Sequence, residues 1–207
     1  MPNIITIGRE FGSGGREVGR RLAEELGYEY YDKEIITEIA KKTKLSEEYL
    51  QDVIEKKPHR LFPITIGQTL AFSDNYSYQQ MQDIYDAQVD ILKELAEKSN
   101  CVIVGRCADV ILKDYHPFRI FVYADMDSKI KRCLERNTDK KELPVKMVEK
   151  YIKQIDKHRA DYYQFYTGLK WGDKANYDLL LNTTNANIKE VTKALAKLFQ
   201  GEKQWTL

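Results

Sequence analysis

Glycines between residues 8 and 15, followed by Arg16, have the types and spacing of a phosphate-binding turn. An apolar, β-branched segment, residues 4–7, is followed by a glycine-rich turn and then by an amphipathic helix that ends near Leu26. A turn of this kind directs backbone N–H groups and the positive end of a helix dipole at one point, which favours a phosphate. The candidate phosphate-binding residues are Gly8, Gly12, Ser13, Gly14, Gly15, Arg16 and Glu17.

The turn differs from the standard P-loop, which has a lysine and then a serine or threonine after its last glycine. No lysine follows Gly15. Arg16 takes its place, and Glu17 stands where a hydroxyl would hold Mg²⁺. Because arginine is always charged and can fork onto two phosphate oxygens, we expect Arg16 to replace the lysine. The alternative is a tight turn that only packs helix against strand.

Two further candidate groups follow predicted strands. Asp32 comes after a short aromatic strand, and Arg106 follows an apolar strand that ends in glycine. Ligands of parallel α/β sheets bind outside the carboxyl ends of the strands, so we expect both residues to lie near the glycine turn. Asp32 could instead cap the helix that follows it, and Arg106 could form a surface ion pair.

The elements that must position these residues alternate along the chain. Short apolar strands and helices in alternation predict a mostly parallel sheet with helices on both faces. The predicted strands are residues 4–7, 28–31, 101–106, 118–123 and 177–181. The predicted helices begin near residues 17, 33, 46, 79, 108, 128, 144 and 188.

Composition excludes several classes of function. The 207 residues carry a net charge of +1, which does not favour a nucleic acid partner. No apolar segment approaches the roughly 20 residues that cross a bilayer, and no signal peptide is expected at the amino terminus. The three cysteines, Cys101, Cys107 and Cys133, lack metal-ligand spacing and indicate reduced thiols in a cytoplasmic protein.

Three motifs together resemble the cytidylate kinase-like family, a nucleoside monophosphate kinase branch of the P-loop fold. They are Gly-Ser-Gly-Gly-Arg at 12–16, Ala-Glu-Glu-Leu-Gly-Tyr-Glu-Tyr-Tyr-Asp at 23–32, and Val-Ile-Val-Gly-Arg-Cys-Ala-Asp at 102–109. The resemblance covers residues 4–198. It implies an α/β fold with three α/β/α layers and a five-stranded, mostly parallel sheet. It also implies one kinase domain over residues 1–207, with an acceptor-side insertion at 45–78 and a lid at 137–172.

The resemblance also implies an activity and its residues. ATP would donate its γ-phosphoryl group to a nucleoside monophosphate similar to CMP or dCMP, with Mg²⁺ held by the phosphates and by no identified protein ligand. Arg106 would grip the acceptor phosphate, with Asp32 and Asp109 beside it. The arginines assigned to the donor side or to the transferred group are Arg16, Arg132, Arg136 and Arg159. Cys107 stands where the family pattern has an aspartate.

The sequence also fits other functions. The missing lysine and Cys107 also fit a nucleotide-binding or regulatory protein that transfers no phosphate, or a kinase for a small non-nucleotide metabolite. Arg132, Arg136 and Arg159 could be solvated charges on helix surfaces. The expected partners are ATP and a small phosphate acceptor, with no nucleic acid or membrane, in a monomer or homodimer.

Overall fold

The computed structural model describes residues 3–55, 74–136 and 144–200. Within them, five parallel strands form one sheet in the order β2-β3-β1-β4-β5. The strands are β1 (Ile4–Arg9), β2 (Glu29–Tyr31), β3 (Cys101–Val104), β4 (Phe118–Tyr123) and β5 (Leu179–Asn182). The fold is therefore the predicted α/β class with a five-stranded parallel sheet.

Helices cover both faces of this sheet. The first four are α1 (Gly15–Leu26), α2 (Glu34–Thr43), α3 (Glu47–Glu55) and α4 (Asp74–Lys98). The next four are α5 (Ala108–Ile111), α6 (Met126–Glu135), α7 (Val145–Thr167) and α8 (Ile188–Phe199). Two short 3₁₀ turns, Lys113–Tyr115 and Lys174–Asn176, precede β4 and β5. No helix in the described ranges is long and apolar enough to cross a membrane.

The central strand β1 divides two apolar cores. Ile5 and Ile7 pack with α1 and α8 on one face, and Ile4 packs with α2, α4 and α7 on the other. A parallel strand buried on both faces is apolar nearly throughout, which explains the β-branched segment that marks β1 in the sequence. The result is a three-layer α/β/α arrangement.

The strand order places the carboxyl end of β1 between those of β3 and β4. The chain leaves β1 toward β2 on one side and reaches β4 on the other, so the connections diverge around β1. In open α/β sheets, ligands bind at such a divergence, outside the carboxyl ends of the strands. The glycine turn after β1 and the turn after β3 both lie at this edge.

Most predicted boundaries are close to those in the structure. The bounds of β4 and α8 agree with the predictions, and Ser46 precedes α3 with its Oγ accepting a bond from the Tyr49 N–H at 3.2 Å. Helix α4 begins at Asp74 instead of near residue 79, because the apolar repeat that marks it in the sequence starts later than the helix itself. Residues 56–73 of the predicted insertion and 137–143 of the predicted lid lie outside the described residues.

Candidate active site

The glycine turn is fixed by hydrogen bonds around Ser13. The Ser13 hydroxyl donates to the Glu10 carbonyl at 2.8 Å and accepts from the Gly15 N–H at 3.3 Å. The Ser13 carbonyl accepts a bond from the Thr183 hydroxyl at 2.6 Å. Gly14 has a φ of 81° and lies immediately before α1, so the chain reverses there in a conformation that glycine adopts without strain.

A cavity of about 560 Å³ runs along this turn. Its volume lies within the range of roughly 300–1,000 Å³ that is usual for small-molecule sites. One wall is the turn itself, and the opposite wall comes from α6 and α7. The lining includes Arg9, Gly12, Gly14, Gly15, Arg16, Arg132, Arg136, Met147, Tyr151 and Arg159.

Arg16 lies at the edge of the cavity and is paired with Asp32. The Arg16 side chain is 47% exposed, and its Nε lies 2.5 Å from Oδ2 of the buried Asp32 carboxylate. The structure thus joins two residues that the sequence analysis assigned to the donor and acceptor sides. Because Asp32 already balances the charge of Arg16, the role of Arg16 as the lysine's replacement stays a prediction.

Glu17 and Arg136 are also paired with each other. The Glu17 carboxylate accepts from Arg136 Nη2 and from Arg21 Nε, the latter at 2.9 Å. Among the described residues, no group of three or more histidine, cysteine, aspartate or glutamate side chains could hold a metal ion. The carboxylates of Glu17 and Asp32 are therefore both held by arginines.

Arg132 reaches the cavity from α6. Its Nη2 donates to the Thr183 carbonyl, whereas its Nη1 is buried without a hydrogen-bond partner in the described part of the chain. Thr183 also bonds to the glycine turn through its hydroxyl. This contact anchors Arg132 next to the turn.

The turn after β3 forms a second, smaller pocket of about 50 Å³. Gly105, Arg106 and Cys107 have φ values of 74°, 62° and 53°, so three consecutive residues are left-handed. Such a conformation costs about 1–3 kcal/mol for a residue other than glycine, and it is frequent at functional sites. The Gly105 N–H donates to the Ile7 carbonyl at 2.9 Å, which ties this turn to β1.

Arg106 is buried in this pocket. Its Nε has no hydrogen-bond partner among the described residues, and its carbonyl accepts from Gln88 Nε2 at 3.1 Å. A buried donor without a partner is energetically costly. An anion in the pocket would remove that cost, so the structure is compatible with the predicted contact between Arg106 and an acceptor phosphate.

Asp109 lies on the other side of the pocket, on the short helix α5. Its Oδ2 accepts a hydrogen bond from the Tyr163 hydroxyl at 2.7 Å. Burial raises the pKa of the Asp109 carboxyl, although the bond from Tyr163 acts in the opposite direction. Burial likewise raises the pKa of the Cys107 thiol, so this cysteine is a neutral wall of the pocket. The remaining walls are aromatic, from Tyr162, Tyr163, Trp171 and Tyr177.

Arg159 projects from α7 between the cavity and the pocket. Its Nη1 donates to the Arg9 carbonyl at 3.3 Å, and its guanidinium carbon lies 5.6 Å from the centroid of the Phe11 ring. Arg159 lines both the cavity along the glycine turn and the pocket at Arg106. Its position therefore suits the predicted contact with a group that passes from one space to the other.

Arg9 is a site residue that the sequence analysis missed. It is the last residue of β1, is only 8% exposed, and lines both the cavity and the pocket. A charged residue at the end of an otherwise apolar strand is a weak sequence signal. Its burial depends on residues far along the chain, Asp32 and Gly105, which sequence spacing does not bring together.

A buried ion network was also missed. Lys129 Nζ on α6 lies 3.1 Å from a Glu10 carboxylate oxygen and 2.8 Å from an Asp156 carboxylate oxygen. The other oxygen of Asp156 accepts from the Phe11 N–H at 2.6 Å. The network therefore joins the glycine turn, α6 and α7 below the cavity.

The comparison with protein families gives one match over most of the chain. The model of the cytidylate kinase-like family matches residues 4–185. A cytidylate kinase from an Exiguobacterium species is 25% identical over an alignment of 219 positions, and the alignment covers 95% of this chain and 96% of that protein. A cytidylate kinase from Saccharolobus islandicus is 23% identical over 193 residues, covering 93% of this chain and 88% of that protein.

Solved structures share the same fold. An uncharacterized protein from Eubacterium ventriosum is 30% identical, with a TM-score of 0.69, and the match covers 97% of this chain and 99% of that one. A shikimate kinase from Bacteroides thetaiotaomicron is 14% identical, with a TM-score of 0.55, and the match covers 96% and 99% of the two chains. At that identity, the second likeness shows the fold alone.

Proposed function

The chain belongs to the cytidylate kinase-like family and is an ATP-dependent kinase, and we propose that it transfers the γ-phosphoryl group of ATP to a nucleoside monophosphate. One observation carries this proposal. The cavity along the glycine turn adjoins the pocket at Arg106, and Arg9 and Arg159 line both. Two phosphate-bearing substrates bound in these spaces would meet at those arginines.

ATP would occupy the larger cavity. Its phosphates would lie along the glycine turn, where the start of α1 offers backbone N–H groups and a partial positive charge. Arg132 supplies a buried N–H group without a partner in the described residues on the opposite wall. Tyr151 and Met147 on α7 give that wall an apolar part that suits a nucleobase.

The acceptor phosphate would bind at Arg106. The Nε group of this buried arginine has no partner in the described residues, and Arg159 lies on the donor side of the same pocket. Cytidylate, which is CMP, is the acceptor in the names of the family and its curated relatives, so we place CMP or dCMP first. Cys107 in place of the family aspartate removes one carboxylate that could bond to the acceptor nucleoside.

The reaction needs no covalent intermediate with the protein. A phosphate oxygen of the acceptor would attack the γ-phosphorus while the bond from that phosphorus to the β–γ bridging oxygen breaks. The products are ADP and a nucleoside diphosphate. Catalysis then consists of holding both substrates in line and neutralising the charge spread over the transferred group, which arginines do well.

Mg²⁺ belongs to this proposal only as a partner of ATP. The acidic side chains next to the glycine turn are paired with arginines or with Lys129, and they do not form a metal site. We therefore place Mg²⁺ on the ATP phosphates, where it neutralises part of their charge, and derive no step through it.

Helix α7 would act as the lid in this scheme, as predicted for residues 137–172. It carries Arg159 and one wall of the cavity, and its bonds to the glycine turn hold it over the site, where it would exclude water from the bound substrates. Exclusion of water matters because water competes with the acceptor for the γ-phosphoryl group.

An acceptor panel tests the proposed function. The purified protein with ATP and Mg²⁺ is given CMP, dCMP, UMP, AMP, GMP or shikimate in turn, and ADP and the phosphorylated product are both measured. We expect stoichiometric ADP and nucleoside diphosphate, with the fastest turnover on a cytosine nucleotide. ATP-induced thermal stabilisation without any phosphorylated product would instead favour a binding or regulatory protein.

A small-metabolite kinase is the second candidate. It is favoured by the volume of the pocket at Arg106, about 50 Å³, which is tight for a nucleoside and has aromatic walls. The same panel separates the two candidates. Turnover on a non-nucleotide acceptor alone would replace the nucleoside monophosphate in this proposal and retain the role of the glycine turn.

A further inference from the structure

The glycine turn lacks the lysine of a standard P-loop, and the structure gives Arg16 another partner. The Arg16 side chain is nearly half exposed, and its Nε bonds to Asp32 at 2.5 Å. A cation already neutralised by a carboxylate gives less stabilisation to a transferred phosphoryl group. Arg9, which also lies near the turn, is less well balanced by a carboxylate, because its guanidinium lies 3.8 Å from Asp32.

Arg9 is buried between the two spaces. Its guanidinium packs against Gly105, where a β-carbon would overlap the Arg9 Nη1 atom. Its β-carbon packs against Gly15, where a side chain would overlap it. One glycine of the turn after β1 and one of the turn after β3 thus leave the room that the Arg9 side chain fills.

The charge of Arg9 is incompletely balanced. Its ion pair with Asp32 is long, at 3.8 Å, and Asp32 also binds Arg16 at 2.5 Å. Burial lowers the pKa of the Arg9 guanidinium, the nearby charges of Arg159, Arg106 and Arg16 lower it further, and Asp32 opposes them. Arginine stays protonated at neutral pH even so. A buried cation among like charges is stabilised when an anion binds beside it.

We propose that Arg9 supplies the cation that the lysine-less glycine turn lacks, and that it contacts the γ-phosphoryl group from the end of β1. The inference rests on the proposed function and adds a catalytic residue to it. Arg9 lines both the ATP cavity and the acceptor pocket, as the group in transfer requires. Its planar fork can reach two phosphate oxygens at once.

Arg159 would hold the same group from the opposite side. Its Nη1 bonds to the Arg9 carbonyl at 3.3 Å, so the two arginines come from β1 and α7 and meet at one point. Arg9 at the end of β1 and Arg159 on α7 would each contact the transferred phosphoryl group. Arg9 is held by its packing against Gly15 and Gly105, and Arg159 is held on α7 by its bond to the Arg9 carbonyl.

The test compares Arg9→Met and Arg9→Lys in the full chain with Arg20→Met as the matched control. Arg20 is an exposed arginine of α1 that pairs with Glu24 and lines neither space. Turnover with the best acceptor is measured, together with melting temperature. We expect Arg9→Met to lower kcat by about 100-fold or more, Arg9→Lys to lie between, and Arg20→Met to match the wild type.

A binding measurement decides the inference independently of turnover. Calorimetry gives the affinities of each variant for ATP and for ADP, which differ only in the γ-phosphate. We expect the wild type and Arg20→Met to prefer ATP, and Arg9→Met to lose this preference while it still binds ADP. A retained preference for ATP in folded Arg9→Met, or its absence in the wild type, would overturn the role of Arg9.

The two proposals fail in different ways. If the wild type phosphorylates no nucleoside monophosphate but Arg9→Met still loses the preference for ATP, the proposed acceptor class is wrong and Arg9 remains the γ-phosphate ligand. If the wild type turns over and Arg9→Met keeps kcat within about threefold, the kinase function stands and Arg9 is not its catalytic cation. Should Arg9→Met not fold, Arg9→Lys is judged by the same ATP preference.

Discussion

At the scale of single residues, positive charge exceeds negative charge where the two spaces meet. Arg9, Arg106 and Arg159 approach this point, and the Asp32 carboxylate next to them also serves Arg16. Two polyanionic substrates brought together in a low-dielectric site repel each other strongly. An excess of positive charge offsets that repulsion. Within the described part of the chain, the buried Nε of Arg106 has no hydrogen-bond partner.

Arg106→Ala should weaken use of the acceptor more than binding of ATP. The substitution removes a buried guanidinium at the acceptor pocket and keeps a side chain at the left-handed φ of 62°, so the turn itself keeps its strain. We expect the acceptor KM to rise by at least about tenfold, the loss of one charge-assisted hydrogen bond. Steady-state kinetics with each substrate varied in turn measures this.

The control for Arg106→Ala is Arg20→Ala, which removes an exposed arginine outside both spaces. It should leave both KM values unchanged. An equal loss of ATP and acceptor affinity in Arg106→Ala would contradict the assignment of this residue to the acceptor.

Asp109 should make stability depend on pH. Burial raises its pKa in the folded protein above the unfolded value of about 3.9, so the folded state keeps a proton that the unfolded state has lost. The contribution of Asp109 to the free energy of unfolding is therefore largest below about pH 4 and falls as pH rises through the folded-state pKa. Asp109→Asn removes this titration.

Urea unfolding at several pH values between about 4 and 8 measures the effect. The free energy of unfolding of the wild type, minus that of Asp109→Asn, should decrease as pH rises. Asp114→Asn, at an exposed site, controls for the loss of a surface carboxyl. A difference that is constant or increases with pH would show that burial does not govern the Asp109 carboxyl.

The residues that the sequence could identify are those with a local signature. The glycine turn and Gly105–Arg106 stand directly after apolar strands, so their place at one sheet edge follows from parallel strands alone. The partners of the charged residues have no such signature. Asp32 is bound by Arg16 and Arg9. Lys129 is bound by Glu10 and Asp156, which are 119 and 27 positions away from it in the sequence, so only folding brings these pairs together.

At the scale of elements, the ion network of Glu10, Lys129 and Asp156 holds α7 against the glycine turn. Lys129 Nζ bonds to both carboxylates, and Asp156 also accepts from the Phe11 N–H. Arg159 lies one turn beyond Asp156 on the same helix and reaches the Arg9 carbonyl. The network therefore fixes the part of α7 from which Arg159 projects.

Lys129→Met should destabilise the protein by about 3 kcal/mol. The Lys129 side chain is 6% exposed, and its removal leaves two largely buried carboxylates without their cation. Urea unfolding measures the loss. Lys193→Met, which breaks an exposed pair with Glu190, should change stability by less than about 0.5 kcal/mol.

The same variant also tests the position of α7. If the network sets where Arg159 lies, Lys129→Met should lower kcat with little change in the KM for ATP, and Lys129→Arg should recover part of the loss. Equal stability of Lys129→Met and Lys193→Met would show that the network contributes nothing to the fold. Unchanged kcat in Lys129→Met would show that the network does not position α7.

Sequence patterns predicted the elements better than their ends. The apolar repeats of α1, α4 and α8 mark buried helix faces, so these helices were predicted. The start of α4 was predicted too late because its first residues, from Asp74, precede the apolar repeat. Strand β5 begins at Leu179 and not at Tyr177, because Tyr177 caps the 3₁₀ turn Lys174–Asn176 and its N–H donates to the Lys174 carbonyl at 3.5 Å.

At the scale of the whole molecule, the strand order brings two binding spaces to one edge of the sheet. With β1 between β3 and β4, the turn after β1 lies next to the turn after β3. The Gly105 N–H, in the turn after β3, donates to the Ile7 carbonyl of β1. Helix α7 lines both spaces and carries Arg159. The sequence predicted the class of sheet and the shared edge, and the strand order came only from the structure.

Transfer of the γ-phosphoryl group is the central claim, and label transfer tests it most directly. The protein is incubated with γ-³²P-labelled ATP, Mg²⁺ and CMP, and the labelled products are separated. We expect the label in CDP, at the terminal phosphate, and its loss in Arg159→Met. Label found only in inorganic phosphate, or remaining in ATP with every nucleoside monophosphate supplied, would contradict the account.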